Sequence, residues 1–306
     1  MEPSSRRRES SVRLEPTVKP PRLEVVNARI DVEENPVVDG LTLTAAFERT
    51  LVLGASSALF RVAGGLSQAT HGEVKLMGMT AVAAVRSGVA AAAPLDGALP
   101  AKWTPRMYAT WSSRLAGKGA GEARGLANAA MDAMKLGPAA DVALGKLSSA
   151  ARRATGVAGA LATGAQLVLL EDPTAHLPEE QSRNLATAIV AALSRRAWVL
   201  FAPCLQLTSP LSMHADEAIL VSGADVLARG APVAVASRDR TYAVRLAGNV
   251  EDFRRLLGDS GSKTEGRGSR LVVSLADGTN LRDLLTMAAT SSSTIVEVRP
   301  LARSFS

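Results

Sequence analysis

Apolar and polar residues are arranged along the chain in runs that are typical of alternating helices and strands. The clearest run lies between residues 147 and 177, where apolar side chains at helical spacing predict a helix over residues 150–161. Residues 167–170 are apolar on both faces, which is the pattern of a central strand in a parallel sheet. That strand ends at Glu171 and Asp172. Because ligands bind at the carboxyl ends of the strands in open α/β sheets, we expect the chemistry of the protein there.

The same patterns predict further elements on both sides of this run. Predicted strands are short and β-branched and are bounded by Asn, Asp, Pro or Gly, whereas predicted helices carry an apolar stripe. Before residue 147, strands are predicted at residues 23–30, 37–47 and 49–53, and helices near residue 58 and at residues 105–115, 121–135 and 139–146. After residue 177, a helix is predicted from Pro178, a strand at residues 198–201, a helix at residues 206–214, and strands at residues 216–221 and 226–228.

A separate pattern occupies residues 238–306. Strands are predicted at residues 242–246, 263–265, 271–275 and 294–298, and helices at residues 250–257 and 281–289. This β-α-β-β-α-β order predicts a small ferredoxin-like α+β domain.

Composition and charge limit the class of protein. The chain has 306 residues, of which 47% are hydrophobic and 21% charged, and it has no apolar run long enough to span a bilayer. A single cysteine, Cys204, excludes an intramolecular disulfide, and three scattered histidines lack the spacing of metal ligands. A reducing cytoplasm is therefore the simplest compartment. Half of the formal net charge of +6 lies before residue 24.

Residues 1–22 form a basic stretch without apolar periodicity, so we expect a disordered tail. Two interpretations of its arginines at positions 6 to 8 stay open: a solvated extension, or a contact with anionic lipid head groups. Nucleic acid is not an expected partner, because the tail has no aromatic residue for stacking on bases.

Several motifs resemble those of the ATPase subunits of ATP-binding cassette (ABC) transporters. The Leu147-Ser148 pair and the helix after it resemble the signature segment, LVLLEDPT resembles the Walker B strand, AHLP resembles the D-loop, and VVDGLTL resembles an entry strand. The resemblance implies an α/β fold of the P-loop NTPase type at residues 23–237, with a mixed sheet flanked by helices and a helical subdomain at about residues 96–163. The end of the chain, IVEVRPLARS, resembles the accessory domain of ABC-2-type exporters.

The family binds ATP and Mg²⁺, but the matching positions are altered here. The segment after Gly54 is about five residues shorter than a G-x-x-x-x-G-K-S/T loop, and no lysine occurs between residues 37 and 71. Valine (Val32) stands where an aromatic ring stacks on adenine, Leu95 where a Gln ligates Mg²⁺, and Cys204 where a His contacts the γ-phosphate. The acidic pair of Walker B appears in the reverse order. The candidate catalytic remnants are Glu171, Asp172 and Cys204, and the candidate nucleotide-binding remnants are Gly54, Ser56, Ser57, Leu95 and Ser148.

Three functions agree with this sequence. The first is a non-hydrolysing, regulatory or structural subunit at the inner face of the plasma membrane. Its partners would be an ABC-2-type transmembrane permease and a second cassette, either a copy of itself or an intact ABC ATPase. The second is a working transport ATPase that compensates for every altered position. The third is an interaction protein on a cassette scaffold without a role in transport. The losses at separate nucleotide contacts favour the first.

Overall fold

The computed structural model describes residues 19–33, 35–54, 57–238, 241–276 and 278–300. Its first half contains β1 (Leu23–Val32), β2 (Asn35–Ala45), β3 (Arg49–Leu53), α1 (Ser57–Ala63), β4 (His71–Leu76), β5 (Met79–Thr80), α2 (Ala81–Arg86), β6 (Ala90–Ala93), α3 (Pro105–Leu115) and α4 (Ala120–Ala133). There follow α5 (Ser149–Ala162), β7 (Leu167–Glu171), α6 (Glu179–Ala192), β8 (Ala197–Ala202), α7 (Pro210–His214), β9 (Glu217–Ser222), β10 (Asp225–Gly230) and α8 (Pro232–Arg238). The last part contains β11 (Thr241–Gly248), α9 (Val250–Asp259), β12 (Lys263–Arg267), β13 (Arg270–Ser274), α10 (Leu281–Thr290) and β14 (Ser293–Pro300).

A six-stranded sheet in the order β10-β9-β3-β8-β7-β6 forms the centre of the larger unit. Its strands are parallel except for β10, which pairs with β9 in the antiparallel sense. Alternate residues of β7 enter different cores: Leu167 and Leu169 belong to one apolar cluster, and Val168 and Leu170 belong to another. The continuous apolar pattern of this strand is therefore explained by burial on both faces of the sheet.

The two faces of this sheet are covered differently. One core includes residues of α1, α2 and an antiparallel sheet in the order β2-β1-β4-β5, and the other includes residues of α3 to α6. The expected α/β fold, a mixed sheet flanked by helices, is confirmed.

Two helix predictions differ from the structure. Residues 139–146, predicted as one helix, contain two short 3₁₀ turns, Gly137–Ala139 and Leu144–Lys146. Gly137 and Pro138 precede this segment and Gly145 lies within it, and both residue types disfavour a continuous α-helix. The helix predicted at residues 206–214 begins only at Pro210, because proline suits the first turn of a helix.

Residues 241–300 build a second antiparallel sheet in the order β12-β13-β11-β14. Its core contains Phe253 and Leu257 of α9 and Leu284 of α10, packed against Val244 and Val273 of the sheet. The predicted β-α-β-β-α-β order is confirmed, and the strand order is that of a ferredoxin-like sheet.

The structure describes only residues 19–22 of the predicted tail. Residues 1–18 of the predicted tail lie outside the described residues, whereas Arg22, its last residue, is buried and forms an ion pair with Glu48. Within the described ranges, no helix combines the length and the apolar character that crossing a membrane requires.

Candidate functional site

The carboxyl ends of three neighbouring parallel strands meet at one cleft. Gly54 follows β3, Glu171 ends β7, and Cys204 comes shortly after β8. The cleft has a volume of about 860 Å³, and Ser57, Leu95 and Asp172 also line it. The strands bring together candidate residues that are up to 150 positions apart, between Gly54 and Cys204.

Protein donors occupy both carboxylate oxygens of Glu171. The hydroxyl of Ser57, at the start of α1, donates a hydrogen bond to Oε1. The backbone N–H of Leu95 donates to Oε2 at 3.0 Å. Glu171 thus ties the start of α1 and the segment after β6 to the end of β7.

Asp172 is buried, with 9% of its surface exposed, and its backbone has a positive φ of 24°. The hydroxyl of Thr174 donates to its Oδ1 at 3.4 Å. Burial raises the pKa of Asp172 above its ordinary value, while Thr174, Arg153 and His176 act in the opposite direction without cancelling the shift. This carboxyl group therefore holds its proton more tightly than an exposed aspartate does.

Arg153 was not among the candidate residues, but it lies at this end of the sheet. From α5 its guanidinium donates to the carbonyl oxygens of Pro173, at 3.4 Å, and of Ala175. The arginine pair at positions 152 and 153 is visible in the sequence, but a surface pair of this kind has no signal that identifies its acceptors. Arg153 fastens α5 to the loop after β7.

Cys204 lies at the edge of the cleft and is partly buried. Burial and the nearby carboxyl group of Asp172 raise the pKa of its thiol. The thiol is thus kept in the protonated, weakly nucleophilic form.

Gly54, at the start of the expected phosphate loop, packs closely against β9 and the segment after β8. The Gly54 N–H donates to the carbonyl oxygen of Pro203 at 3.0 Å, and its φ is +73°. A Cβ atom at Gly54 would lie 2.1 Å from the carbonyl oxygen of Val221. Two residues, Ala55 and Ser56, separate Gly54 from the first residue of α1, and both lie outside the described residues, so the candidate Ser56 is not placed.

Ser148 lies outside the cleft. It is the N-cap of α5, where its hydroxyl accepts from the backbone N–H of Ala151 at 3.3 Å. It is not among the described residues that line the cleft. The structure therefore gives this serine a structural contact at the start of a helix.

Three solved structures have similar folds. CbiO1 from Clostridium perfringens, part of the ABC transporter complex CbiONQ, matches with a TM-score of 0.60 and 15% identity over 72% of this chain and 92% of that one. The chain has the fold of an ATP-binding cassette. A nucleotide-free cassette from an ABC transporter matches with a TM-score of 0.60 and 16% identity over 71% of this chain and 95% of that chain. The ATP-binding subunit of an ABC transporter matches with a TM-score of 0.58 and 14% identity over 87% of this chain and 99% of that chain. No protein-family model and no curated protein matches the sequence.

The resemblance implies ATP and Mg²⁺ as ligands, and several of the side chains that would hold them are replaced. No lysine occurs between residues 37 and 71, and Val32, outside the cleft lining, offers no aromatic face at the position implied for adenine. The Leu95 side chain has no oxygen for Mg²⁺, and its N–H engages Glu171 instead. In the described part of the chain, no group of three His, Cys, Asp or Glu residues has the arrangement of a metal site.

Proposed function

We propose that this chain is a non-hydrolysing cassette subunit, a regulatory or structural partner of an ABC-2-type transmembrane permease. In this assembly it pairs with a second cassette, either a copy of itself or an intact ATPase, at the inner face of the membrane. The cassette fold supports the general assignment.

The contact between Leu95 and Glu171 carries the proposal. In a working P-loop the serine at the start of the helix and the Walker B carboxylate share the Mg²⁺ shell, and the loop amides and a lysine hold the phosphates. Here the Leu95 N–H donates to Oε2 of Glu171 at 3.0 Å, and the Leu95 side chain has no oxygen that could join such a shell. A triphosphate would also lack the lysine contact, which is worth about 1.5 to 3 kcal/mol.

The partner is proposed from the similar proteins. CbiO1 is part of a transporter complex, and a bacterial Atm1-family exporter with ATP bound matches 73% of this chain with a TM-score of 0.58. The ferredoxin-like sheet and helices of residues 241–300 support the ABC-2-type subgroup, together with the likeness of the sequence at the chain's end to exporter accessory domains.

One observation favours a working ATPase as a second candidate. The Ser57 hydroxyl still reaches the carboxylate of Glu171, as the corresponding pair does when it shares a magnesium shell. Nucleotide binding separates the two candidates.

Isothermal titration calorimetry of the full chain with ATP and Mg²⁺ tests the proposal. We expect no saturable heat at millimolar nucleotide, whereas an intact cassette ATPase in the same buffer serves as the positive control. Saturable binding that is lost in Glu171→Gln would reinstate the working ATPase.

A second experiment concerns hydrolysis. Any phosphate release should be identical in the wild-type chain and in Asp172→Asn, because it would come from contaminants. A release that falls at least tenfold in Asp172→Asn would contradict a non-hydrolysing subunit.

Purification of the protein from native membranes tests the partner. Recovery of a multi-span permease supports a transport role, and recovery of soluble proteins alone favours an interaction protein without a role in transport.

A further inference from the structure

A line of large apolar side chains lies exposed on α3. Met107, Trp111 and Leu115 are four residues apart and therefore follow one another along the same face of the helix. Their exposed fractions are 50%, 44% and 66%. The opposite face of α3, with Pro105, Ala109 and Ser113, is buried against the other helices. The exposed line is thus not needed for the core of the subdomain.

Aromatic rings are concentrated beside this line. Two of the three tryptophans of the chain are here, and the ring of Trp103 contacts Trp111 edge to face at a centroid distance of 5.5 Å. Tyr108 lies on the other side of Trp111, at 6.1 Å. Aromatic rings with a polar group favour the interface between lipid head groups and acyl chains.

The surroundings of the line are basic. Residues 96–122 contain four basic residues, Lys102, Arg106, Arg114 and Lys118, and two acidic residues, Asp96 and Glu122. Arg106 is paired with Asp141 and Lys118 with Glu122. Lys102 and Arg114 have no carboxylate partner among the residues that the structure describes, and both are exposed. Arg114 is three residues after Trp111, so it borders the apolar line on the same face, and its guanidinium donates to the carbonyl oxygen of Lys118 at 2.7 Å.

We propose that one surface, which we call the α3 face, binds a bilayer with anionic head groups. It is formed by Lys102 and Trp103 just before α3 and by Met107, Trp111, Arg114 and Leu115 on the helix. The combination of Trp, Met and Leu with cations that have no carboxylate partner among the described residues is that of helices that lie in a membrane interface, where apolar groups enter the head-group region and cations meet lipid charges. A protein partner would need acidic groups to match these cations, whereas an anionic bilayer supplies them at every orientation.

Co-sedimentation of the full chain with lipid vesicles tests the proposal. We expect binding to vesicles of phosphatidylcholine mixed with phosphatidylserine, and much weaker binding to phosphatidylcholine alone. The fluorescence of the tryptophans should shift to shorter wavelength on binding, because Trp103 and Trp111 leave water while Trp198 is buried in either state.

Matched variants locate the binding surface. Arg114→Gln should weaken binding about fivefold, as expected for the loss of one cation near an anionic surface. Arg195→Gln, the same change at an exposed arginine outside the α3 face, should leave binding unchanged. Met107→Ser should weaken binding by a similar factor, whereas Met213→Ser, at a methionine that is 70% exposed, should have no effect.

The outcomes are distinct from those of the nucleotide experiments, because vesicle binding does not depend on the cleft. Equal binding by all four variants and the wild-type chain would overturn the proposal and place the lipid contact in the basic tail, which all of them share. Absence of binding to either vesicle would overturn it in favour of a protein partner. Each variant should unfold at the same temperature as the wild-type chain. A loss of binding then results from the altered surface and not from a loss of folding.

Discussion

Asp172 illustrates at the scale of one residue how position changes the chemistry of a carboxyl group. Its neighbour Glu171 is partly exposed and receives two hydrogen bonds, whereas Asp172 is buried with one long hydrogen bond from Thr174. Burial disfavours the charged form, so the pKa of Asp172 is raised in the folded state. The side chains of Glu171 and Asp172 therefore differ in their exposure to solvent, although the two residues are neighbours in the sequence.

A raised pKa makes the stability of the fold depend on pH. The protonated carboxyl is favoured in the folded chain, so its contribution is fully present below about pH 4, the ordinary pKa of aspartate, and is lost as the pH rises through the folded value. Asp172→Asn removes the titrating group and keeps a residue type that tolerates positive φ. We expect the variant to gain stability relative to the wild type as the pH rises from 4 to 7.

Urea unfolding at several pH values measures this difference. Asp225→Asn, at an exposed aspartate of β10, controls for the general effect of removing a negative charge. Parallel pH profiles for the wild type and Asp172→Asn would contradict the assignment.

Gly54 gives a second prediction at the same scale. A Cβ atom at this position would meet the carbonyl oxygen of Val221 at 2.1 Å, and the positive φ adds strain. Gly54→Ala should lower the free energy of unfolding by about 3 kcal/mol or more. Gly223→Ala has a similar φ of +58° with nothing within 4 Å, so it should cost only about 1 kcal/mol. The free energy of unfolding is measured in urea. Equal losses in the two variants would mean that β9 shifts away from the added methyl group at position 54 without a cost in stability.

At the scale of elements, local patterns were sufficient for most helices and strands. The bounds of α3 agree with the prediction, since Thr104 caps the helix and Pro105 begins it. Residues 139–146 were predicted wrongly, because the prediction gave too little weight to Gly145 and to the Gly137-Pro138 pair just before the segment. The small residues of α5 indicated that another element packs closely against this helix, but they did not identify that element.

The contact between α5 and α3 gives a prediction within one helix. Gly159 faces Tyr108, and a Cβ atom there would lie 2.5 Å from the ring carbon Cε1, whereas a Cβ atom at Gly156 would meet nothing within 4 Å. Gly159→Ala should destabilise the protein by about 1 to 3 kcal/mol through overpacking. Gly156→Ala should stabilise it by about 0.5 to 1 kcal/mol, because alanine favours the helical backbone. Thermal unfolding distinguishes the two, and stabilisation by both variants would contradict the close packing.

At the scale of the whole molecule, the apolar cores are separate. The core of the ferredoxin-like part consists of residues between Tyr242 and Val298, and the two cores of the cassette consist of residues up to Val235.

Separate cores predict separate folding. A fragment of residues 238–306 should show the circular dichroism of a mixed α/β domain and a cooperative thermal transition, of low stability because so small a domain buries little surface. Scanning calorimetry of the full chain should then show two transitions. A fragment without secondary structure, or a single transition in the full chain, would contradict the proposed division at residue 238.

The sequence by itself determined the order of most helices and strands, the likeness to a cassette, and the absence of a lysine between residues 37 and 71. These features depend on periodicity, caps and residue identity within short segments, so they can be read without the fold. Only the tertiary structure decided that Ser57 and Leu95 bind Glu171, that Gly54 lies against Val221, and that Arg153 holds the loop after β7. The partners in these contacts are distant along the chain, 114 residues apart for Ser57 and Glu171, and only the pairing of parallel strands brings their ends together.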